Sequence, residues 1–332
     1  MAAARTVIVI GSNCFTGSHL VDALLEDPRN AVVGISRSPE KGPLYLPYKH
    51  RPTARFRFHQ IDLVRESERL LALLDDLEPD CVVNVAALSE VNLSNFQPVE
   101  YFQTNCLGAV RLGNHLRARS YLRRYVHISS AEIYGSCQGP ITESAPLHPS
   151  TPYAASKAAA DMYLLTLRRN FDFPVTLVRS TNVYGRHQQL FKIIPRAVIR
   201  LKQGRAIELH GGGTSVKMFV HIRDVARGVV RIIDADAGTP IYHLSTDNEH
   251  TIAEVVGMVC RLMGRDPALA VVSAGDRVAQ DSRYWLDCSL AATELGWKPE
   301  IPFEQGLKEV IAWVEERWEQ ILREPHEYVH TV

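Results

Sequence analysis

Hydrophobic and polar positions follow two patterns in the first half of the chain. Short continuous apolar runs, such as "TVIVI" and "CVVNVAA", are typical of parallel strands that are covered on both faces. Longer segments between them carry apolar residues at helical spacing, as in "GSHLVDALLE" after the first strand. Because strands and helices alternate from Thr6 to about Val126, the pattern predicts an α/β fold with a doubly wound parallel sheet.

The pattern changes in the second half of the chain. Beyond "PVTLVRSTNVYG" the alternation loosens into a glycine turn, "LHGGGTSV", and further amphipathic helices. We predict a large lobe formed by residues 1–178 and a smaller lobe formed mainly by residues 179–332, with the chain free to cross between them. Ligands of doubly wound sheets bind beyond the carboxyl ends of the strands, so the residues that follow each strand are the candidates for a site.

Composition and charge exclude several classes of partner. Lysine plus arginine equals aspartate plus glutamate at 37 each, so no basic field attracts nucleic acid or a membrane surface. The six cysteines are scattered without paired or metal-ligand spacing, which favours a reduced, cytoplasmic protein without a bound metal. We expect neither a signal peptide nor a membrane span, because the first strand begins early and no apolar run is long enough.

The turn in "VIVIGSNCFTGSHL" is the first candidate site. Gly11 suits a tight turn, and Gly17 removes a side chain where a helix packs on the sheet. The N-terminus of such a helix presents unpaired N–H groups to an anion, and a dinucleotide pyrophosphate is a common occupant. Cys14, at the middle position of the glycine spacing, crowds a phosphate. The turn alone therefore leaves open a plain strand–helix connection with packing glycines.

A second candidate site combines Tyr153 and Lys157 with the strand "YVHISS". Thr151 and Pro152 suit the start of a helix. A spacing of four then places Tyr153 and Lys157 on one face, where an ammonium beside a phenol favours the phenolate that an alcohol proton requires. Ser130, at the end of the strand, can donate a hydrogen bond to a substrate oxygen. Together they indicate a hydride-transfer site with a nicotinamide cofactor, whereas each alone fits a core tyrosine, a solvated lysine or a turn cap.

The order of these motifs resembles the extended short-chain dehydrogenase/reductase family, and within it the nucleotide-sugar epimerases and dehydratases. The resemblance spans nearly the whole chain and includes "QIDL", "NVAALSEV", "TNCLG", "SSAEIYG", "VRSTNVYG", "FVHIRDV" and "ELGWKP". It implies a Rossmann-fold, NAD(P)-binding domain in residues 1–178 and a nucleotide-sugar-binding lobe mainly in residues 179–332. It also implies a homodimer built through a four-helix bundle by the helices that hold Asn105 and Tyr153.

The resemblance implies which residues bind the cofactor. Asp62 is expected to meet the adenine amino group, and Asn105 to buttress the site. Ala86 and Ala87 are expected to flank the cofactor. The whole set is Gly11, Asn13, Cys14, Phe15, Thr16, Gly17, Ser36, Arg37, Ser38, Asp62, Leu63, Ala86, Ala87, Asn105, Tyr153 and Lys157.

The end of "AVVGI" bears on the choice between the two nicotinamide cofactors. Chains that bind NAD usually place an acid there, whereas this chain has Ser36, Arg37 and Ser38. An arginine with hydroxyls suits a 2′-phosphate, so the sequence favours NADP+ over NAD+, as in the similar GDP-mannose 4,6-dehydratases. The alternative is that Arg37 is merely solvated.

Glu132 bears on the reaction. In dehydratases that resemble this chain, a Thr-Asp-Glu or Thr-Ser-Glu triplet stands where this chain has Ser130, Ala131 and Glu132, and the glutamate removes the carbon-5 proton of a 4-keto sugar. Since Ala131 cannot act as an acid, Glu132 would also assist the leaving hydroxyl. The resemblance thus implies a nucleoside-diphosphate-sugar 4,6-dehydratase with the catalytic set Ser130, Glu132, Tyr153 and Lys157. A 4-epimerase, a uronate decarboxylase, a 4-ketosugar reductase and a redox-sensing NAD(P)-binding protein remain open.

The resemblance also implies contacts with a nucleoside-diphosphate-hexose substrate. Asn182 and Arg283 match residues near the diphosphate in this family. Lys217 stands where an arginine is usual, and it offers a point charge instead of a bidentate fork. The expected substrate-binding set is Ser89, Glu132, Asn182, Lys217 and Arg283.

Overall fold

A parallel sheet organises the large lobe of the computed structural model, which describes residues 4–235, 238–275 and 283–328. The strands are β1 (Arg5–Ile10), β2 (Asn30–Ser36), β3 (Phe56–Gln60), β4 (Cys81–Asn84), β5 (Arg124–Ile128), β6 (Val175–Ser180), β7 (Asn182–Tyr184), β8 (Ile207–His210), β9 (Val216–His221), β10 (Ile241–Leu244), β11 (Glu249–Thr251) and β12 (Val271–Ala274). Seven of them form one sheet in the order β10-β6-β5-β4-β1-β2-β3, with every neighbouring pair parallel. The predicted doubly wound parallel sheet is confirmed.

Helices cover both faces of this sheet. The α-helices of the described residues, in both lobes, are α1 (Phe15–Leu24), α2 (Ser67–Leu77), α3 (Val91–Ser94), α4 (Pro98–Tyr101), α5 (Gly108–Leu116), α6 (Pro152–Phe171), α7 (Ile193–Lys202), α8 (Ile222–Asp234), α9 (Ile252–Leu262), α10 (Pro267–Ala270), α11 (Ser289–Leu295), α12 (Phe303–Glu316) and α13 (Trp318–Ile321). Successive β1 side chains point to opposite faces, so Val7 and Val9 pack with α1 and α8, while Ile8 and Ile10 pack with α2, α5 and α6.

The smaller lobe has its own core. Helices α7, α9 and α12 bury their apolar faces together with residues of β8 and β9. Two small sheets, β11-β9-β7 and β12-β8, support this layer. The chain crosses back to the large lobe in between, because β10 pairs with β6 and α8 packs on α1.

The strand order reverses direction at β1, which has β2 on one side and β4 on the other. At this switch point the connections after β1 and β4 leave toward opposite faces, and a crevice opens beyond the carboxyl ends of the strands. The fold therefore directs attention to the segments that follow β1, β2, β4 and β5. Within the described residues, every helix is too short or too polar to cross a membrane.

Candidate active site

Two glycines shape the turn between β1 and α1. Gly11 has φ +93°, and a Cβ there would lie 2.7 Å from the backbone nitrogen of Ala86. A Cβ on Gly17 would lie 2.2 Å from the carbonyl oxygen of Gly11. Both positions therefore require glycine, one for its angles and both for close packing. The Cys14 thiol accepts a hydrogen bond from the Gly17 N–H at 3.2 Å, so its sulfur caps α1.

A cavity of about 490 Å³ lies beyond the carboxyl ends of β1, β2 and β4. Ten residues of the predicted cofactor-binding set line it: Gly11, Asn13, Cys14, Ser36, Arg37, Ser38, Asp62, Leu63, Ala86 and Ala87. Ser89, from the predicted substrate-binding set, lines it as well. The lining thus combines segments that are far apart in sequence but adjacent at the switch point. The glycine cradle and this cavity fit a dinucleotide.

Asn13 fixes the loop after β2. Its backbone N–H donates to the Ser36 hydroxyl at 3.0 Å, and its side-chain amide donates to the Ser38 hydroxyl at 3.0 Å and to the Pro39 carbonyl at 2.8 Å. Asn13 is buried, whereas Arg37 is exposed on the same loop. The two serine hydroxyls, read from sequence as phosphate partners, therefore have a structural role in holding the loop that presents Arg37.

Asp62 orders the segment after β3. Its carboxylate accepts hydrogen bonds from the backbone N–H groups of Val64 and Arg65 at 2.7 and 2.9 Å. This side chain therefore acts as a turn acid and also lines the cavity.

Sequence reasoning missed the outer wall of the cavity, which we call the cavity rim. It consists of Lys41, Arg65, Gln189, Phe191 and Tyr328. The rings of Phe191 and Tyr328 meet edge to face with centroids 5.0 Å apart. No motif marks these two aromatic residues, because only the folding of the smaller lobe brings them to the cavity.

The remaining predicted cofactor residues stand behind the lining. Phe15, Thr16 and Gly17 belong to the first turn of α1. Asn105 is buried in a π-helical stretch, Phe102–Leu107, that joins α4 to α5. Its side chain accepts from the Leu88 N–H at 2.8 Å and donates to the Leu88 carbonyl at 3.0 Å. Asn105 thus clamps the segment after β4.

The start of α6 has the predicted form. The Thr151 hydroxyl accepts from the Ala154 N–H at 3.1 Å, and Pro152 occupies the first turn. Tyr153 and Lys157 follow one turn apart, and both are buried. The Lys157 ammonium points to β5, where it donates to the Ile128 carbonyl at 2.7 Å.

Ser130 and Glu132 stand opposite Tyr153. The Ser130 hydroxyl accepts from the Glu132 N–H at 3.2 Å and caps a short 3-10 turn, Ala131–Tyr134. It also bonds to the Tyr153 hydroxyl. Ser130 is therefore both a turn cap and a partner of the phenol, and the turn brings the Glu132 charge close to Tyr153.

The electrostatics of Tyr153 differ from the expectation. Burial raises the pKa of the Tyr153 phenol, the Glu132 charge raises it further, and the Ser130 hydrogen bond opposes both. Burial also lowers the pKa of Lys157 to about 8, with Asp161 opposing. The expected lowering of the phenol pKa by Lys157 is wrong for the protein alone, because burial, together with the Glu132 charge, raises this pKa. A bound positive nicotinamide would supply the missing field.

A cluster of buried polar side chains packs against α6, and we call it the α6 network. It consists of Ser129, Tyr134, Asp161, Arg179 and His243. Asp161 accepts from Ser129 at 2.9 Å and from the Arg179 guanidinium at 3.0 Å, and both charged side chains are almost fully buried. Arg179 in turn donates to Tyr134, whose hydroxyl lies 2.7 Å from the His243 ring.

The predicted diphosphate contacts lie around β9. Lys217 is buried with its ammonium 4.0 Å from the ring centroid of Tyr284. Arg283 is paired with Glu249 and stacks over Trp285. The Asn182 amide donates to the Met218 carbonyl at 3.4 Å. Arg283 would have to exchange its carboxylate partner to bind a diphosphate.

A metal centre is not formed by the part of the chain that the structure describes. Within residues 4–235, 238–275 and 283–328, no group of three or more His, Cys, Asp or Glu side chains could hold a metal ion.

Known proteins resemble this chain in both sequence and fold. The chain is 27% identical to the dTDP-glucose 4,6-dehydratase of Haemophilus influenzae over 92% of its own length and 97% of the relative's. The solved structure of DesIV, a dTDP-glucose 4,6-dehydratase from Streptomyces venezuelae with NAD bound, is 32% identical with a TM-score of 0.86, covering 95% of this chain and 98% of DesIV. The structure of MoeE5 with UDP-glucose and NAD is 28% identical with a TM-score of 0.83, covering 94% and 99%.

These likenesses decide the cofactor class and the family. NAD in the solved relatives supports a nicotinamide cofactor and gives no support to the NADP preference inferred from Arg37. The model of the NAD dependent epimerase/dehydratase family matches residues 7–244. That span includes β1 to β10 and every predicted catalytic residue. The chain belongs to the NAD dependent epimerase/dehydratase family.

Proposed function

We propose that this protein is a nucleoside-diphosphate-sugar 4,6-dehydratase. The observation that carries the proposal is the placement of Glu132 beside Tyr153 and Ser130, on the turn that follows β5. A carboxylate there is needed to remove a carbon-5 proton and is dispensable for a 4-epimerase. The dehydratases among the relatives agree with this assignment.

The side chains suit an oxidation followed by an elimination. Ser130 orients the carbon-4 hydroxyl, and Tyr153 takes its proton, with the Lys157 ammonium adding to the positive field that a bound nicotinamide would supply. A bound nicotinamide would supply the hydride acceptor for carbon 4 and the hydride donor for carbon 6. Glu132 removes the carbon-5 proton, which the new ketone makes acidic, and gives a proton to the hydroxide that leaves carbon 6. Carbon 5 takes up one proton as hydride reaches carbon 6, and Tyr153 releases the proton that it accepted from the carbon-4 hydroxyl. The net products are a 4-keto-6-deoxy sugar nucleotide and water.

The smaller lobe supplies most of the substrate contacts in this proposal, and Ser89 of the large lobe adds to them. Ser89 lies at the cavity, and Lys217 and Arg283 lie around β9. Residues 1–178 would hold the cofactor, and residues 179–332 mainly the nucleotide sugar. The substrate is a nucleoside-diphosphate-hexose, as in the solved relative with UDP-glucose.

NAD+ is the proposed resident cofactor, regenerated in each turnover. The Ser36 and Ser38 hydroxyls already hold Asn13, which weakens the argument for a 2′-phosphate. Arg37 remains the residue that favours NADP+. Mass spectrometry of the nucleotide released by denaturing the purified protein will distinguish the two by one phosphate.

A homodimer is also part of the proposal. Large apolar side chains remain exposed on α6 and on the helical segment from α4 to α5: Val99, Phe102, Leu107, Met162 and Phe171. A second copy packing these helices into a four-helix bundle would cover them. We further place the protein in the cytoplasm, since its six cysteines are free thiols.

The decisive experiment incubates the protein, with its own cofactor, with UDP-, dTDP-, GDP- and CDP-hexoses and follows the products by mass spectrometry. Loss of one water from one substrate, abolished in Glu132→Gln, is expected. A product of unchanged mass with an inverted carbon 4 by NMR would replace the dehydratase by a 4-epimerase. Glu143→Gln is the matched control, because Glu143 is half-buried and lies near His243 behind the α6 network.

A further inference from the structure

His127 makes a contact that the reaction described above leaves unused. It lies on β5, beside Asn84 of β4, and is 1% exposed. Its Nε2 atom is 3.2 Å from the Lys157 ammonium nitrogen, and its Nδ1 atom is 3.3 Å from the side-chain amide of Asn84. A line of three polar side chains thus runs from the catalytic lysine into the sheet.

The chemistry of these groups fixes the direction of the hydrogen bonds. An ammonium has three donors and no acceptor, so Nε2 of His127 must accept from Lys157. A neutral imidazole that accepts at Nε2 carries its hydrogen on Nδ1, which then needs an acceptor. The amide oxygen of Asn84 is buried without a partner when the amide nitrogen faces the ring. Turning the amide over gives this oxygen the Nδ1–H donor, so the Lys157 ammonium, the two His127 nitrogens and the Asn84 oxygen are all paired.

We propose that His127 is a positioning residue for Lys157. As the Nδ1–H tautomer, it accepts one ammonium hydrogen while the Ile128 carbonyl accepts another. Two of the three N–H bonds are thereby fixed, and the third is left for the ligand in the cleft. The inference rests on the proposed function only in that Lys157 serves an oxidation at carbon 4, which a 4-epimerase shares.

The charges around Lys157 agree with this role. Tyr153 and Asp161 lie one turn away on either side along α6, His127 faces Lys157 from β5, and Arg179 of β6 reaches it through Asp161. Burial and the nearby ammonium lower the pKa of His127, so the ring stays neutral beside Lys157. Burial disfavours the charged lysine and Asp161 favours it. An acceptor at Nε2 of His127 favours the charged form of Lys157, as Asp161 does.

The same geometry predicts a response to pH. If Lys157 loses its proton, the amine can accept, and His127 can switch to the Nε2–H tautomer with the Asn84 amide donating to Nδ1. The tautomer of His127 therefore reports the protonation of Lys157, without any need for a substrate.

The first test is a two-bond 1H–15N correlation spectrum of the 15N-histidine-labelled holoprotein. The His127 signal is identified by its loss in His127→Gln. We expect the Nδ1–H tautomer near neutral pH. The Nε2–H tautomer at that pH would overturn the proposal, because it cannot accept from an ammonium. This measurement stands even if no sugar nucleotide is turned over.

The second test compares two variants by the pH profile of cofactor reduction on mixing with substrate. His127→Gln retains a side-chain acceptor, whereas His127→Leu leaves the buried ammonium with the Ile128 carbonyl and no acceptor at position 127. The basic limb of the profile is the part at high pH where the rate of cofactor reduction falls. In the leucine variant we expect the apparent pKa of this limb to be lower by about one unit, which is a ~10-fold loss of rate at a given pH on the limb. The glutamine variant should resemble the parent.

A merely structural role for His127 predicts a different result. His127→Leu would then unfold at a lower temperature while its basic limb stayed in place, and the proposal would be wrong. His19→Leu is the matched control, since His19 is also buried but bonds to the Arg186 carbonyl, outside the cavity lining. It should lose stability without moving the limb.

Discussion

The α6 network and the cavity rim are built in opposite ways. In the α6 network, Asp161 and Arg179 are buried and bonded to side chains from β5, α6 and β6. The cavity rim is open to solvent and joins Phe191 and Tyr328, which are distant in sequence. The first arrangement fixes the positions of the reacting groups, while the second holds a ligand that must still enter. We therefore expect substitutions in the network to cost stability and those at the rim to alter ligand exchange.

Substitution of Asp161 should have the largest effect. Asp161→Asn leaves the Arg179 guanidinium buried without a counter-charge, which typically costs about 3–5 kcal/mol in the free energy of unfolding. Chemical denaturation measures the change. Asp75→Asn is the control, because Asp75 pairs with Arg119 at the surface and should cost no more than ~1 kcal/mol. Equal losses in the free energy of unfolding for Asp161→Asn and Asp75→Asn would contradict the expected difference between the buried network and the surface pair.

Lowering the pH should decrease the free energy of unfolding through the buried histidines, without any substitution. Burial lowers the pKa of His19 and of His221 to about 3 and that of His187 to about 4. In the unfolded chain these rings titrate near pH 6.5, so the unfolded state binds protons first as the pH falls. The stability they contribute is complete above about pH 6.5 and declines below it, by up to ~1.4 kcal/mol per pH unit for each ring.

Denaturation midpoints at pH 7, 6 and 5 measure this decline. His19→Gln keeps a donor for the Arg186 carbonyl and removes one titrating ring, so its stability should fall less steeply with acid. A midpoint that stays constant from pH 7 to 5 would show that these rings take up protons in the folded protein.

The smallest expected effect is at the rim. Phe191→Ala removes the edge-to-face contact with Tyr328, which is worth roughly 0.5–1.5 kcal/mol. The bound cofactor should then dissociate about 2- to 10-fold faster, while the free energy of unfolding should fall by no more than roughly 1.5 kcal/mol. Transfer of the released cofactor to an excess of a scavenging dehydrogenase measures the rate. Phe96→Ala, at an exposed position outside the cavity lining, should leave it unchanged.

The sequence predicted those parts of the site that depend on local structure. Thr151, Pro152, Tyr153 and Lys157 belong to one helix start, and their geometry follows from capping and helical spacing. Each parallel strand is marked by its own short apolar run, so the sheet was also predictable from local sequence.

The predictions that failed, and the residues that were missed, depend on contacts that only the folded chain makes. Phe191 reaches the cavity only through the smaller lobe. The Ser36 hydroxyl, a plausible phosphate ligand in sequence, accepts from Asn13 instead. The direction of the Lys157 ammonium depends on His127 and Ile128 of β5, which no spacing within α6 could reveal.

The π-helical stretch around Asn105 restricts how this helix can evolve. A wide turn of this kind accommodates one residue more than an α-helix does over the same rise. Deleting a single residue there would restore regular winding and rotate Asn105 by about 100° away from Leu88, since an α-helix has 3.6 residues per turn. A one-residue insertion or deletion in the helix from α4 to α5 would therefore release the segment that follows β4, whereas a substitution on its outer face would leave the contacts between Asn105 and Leu88 in place.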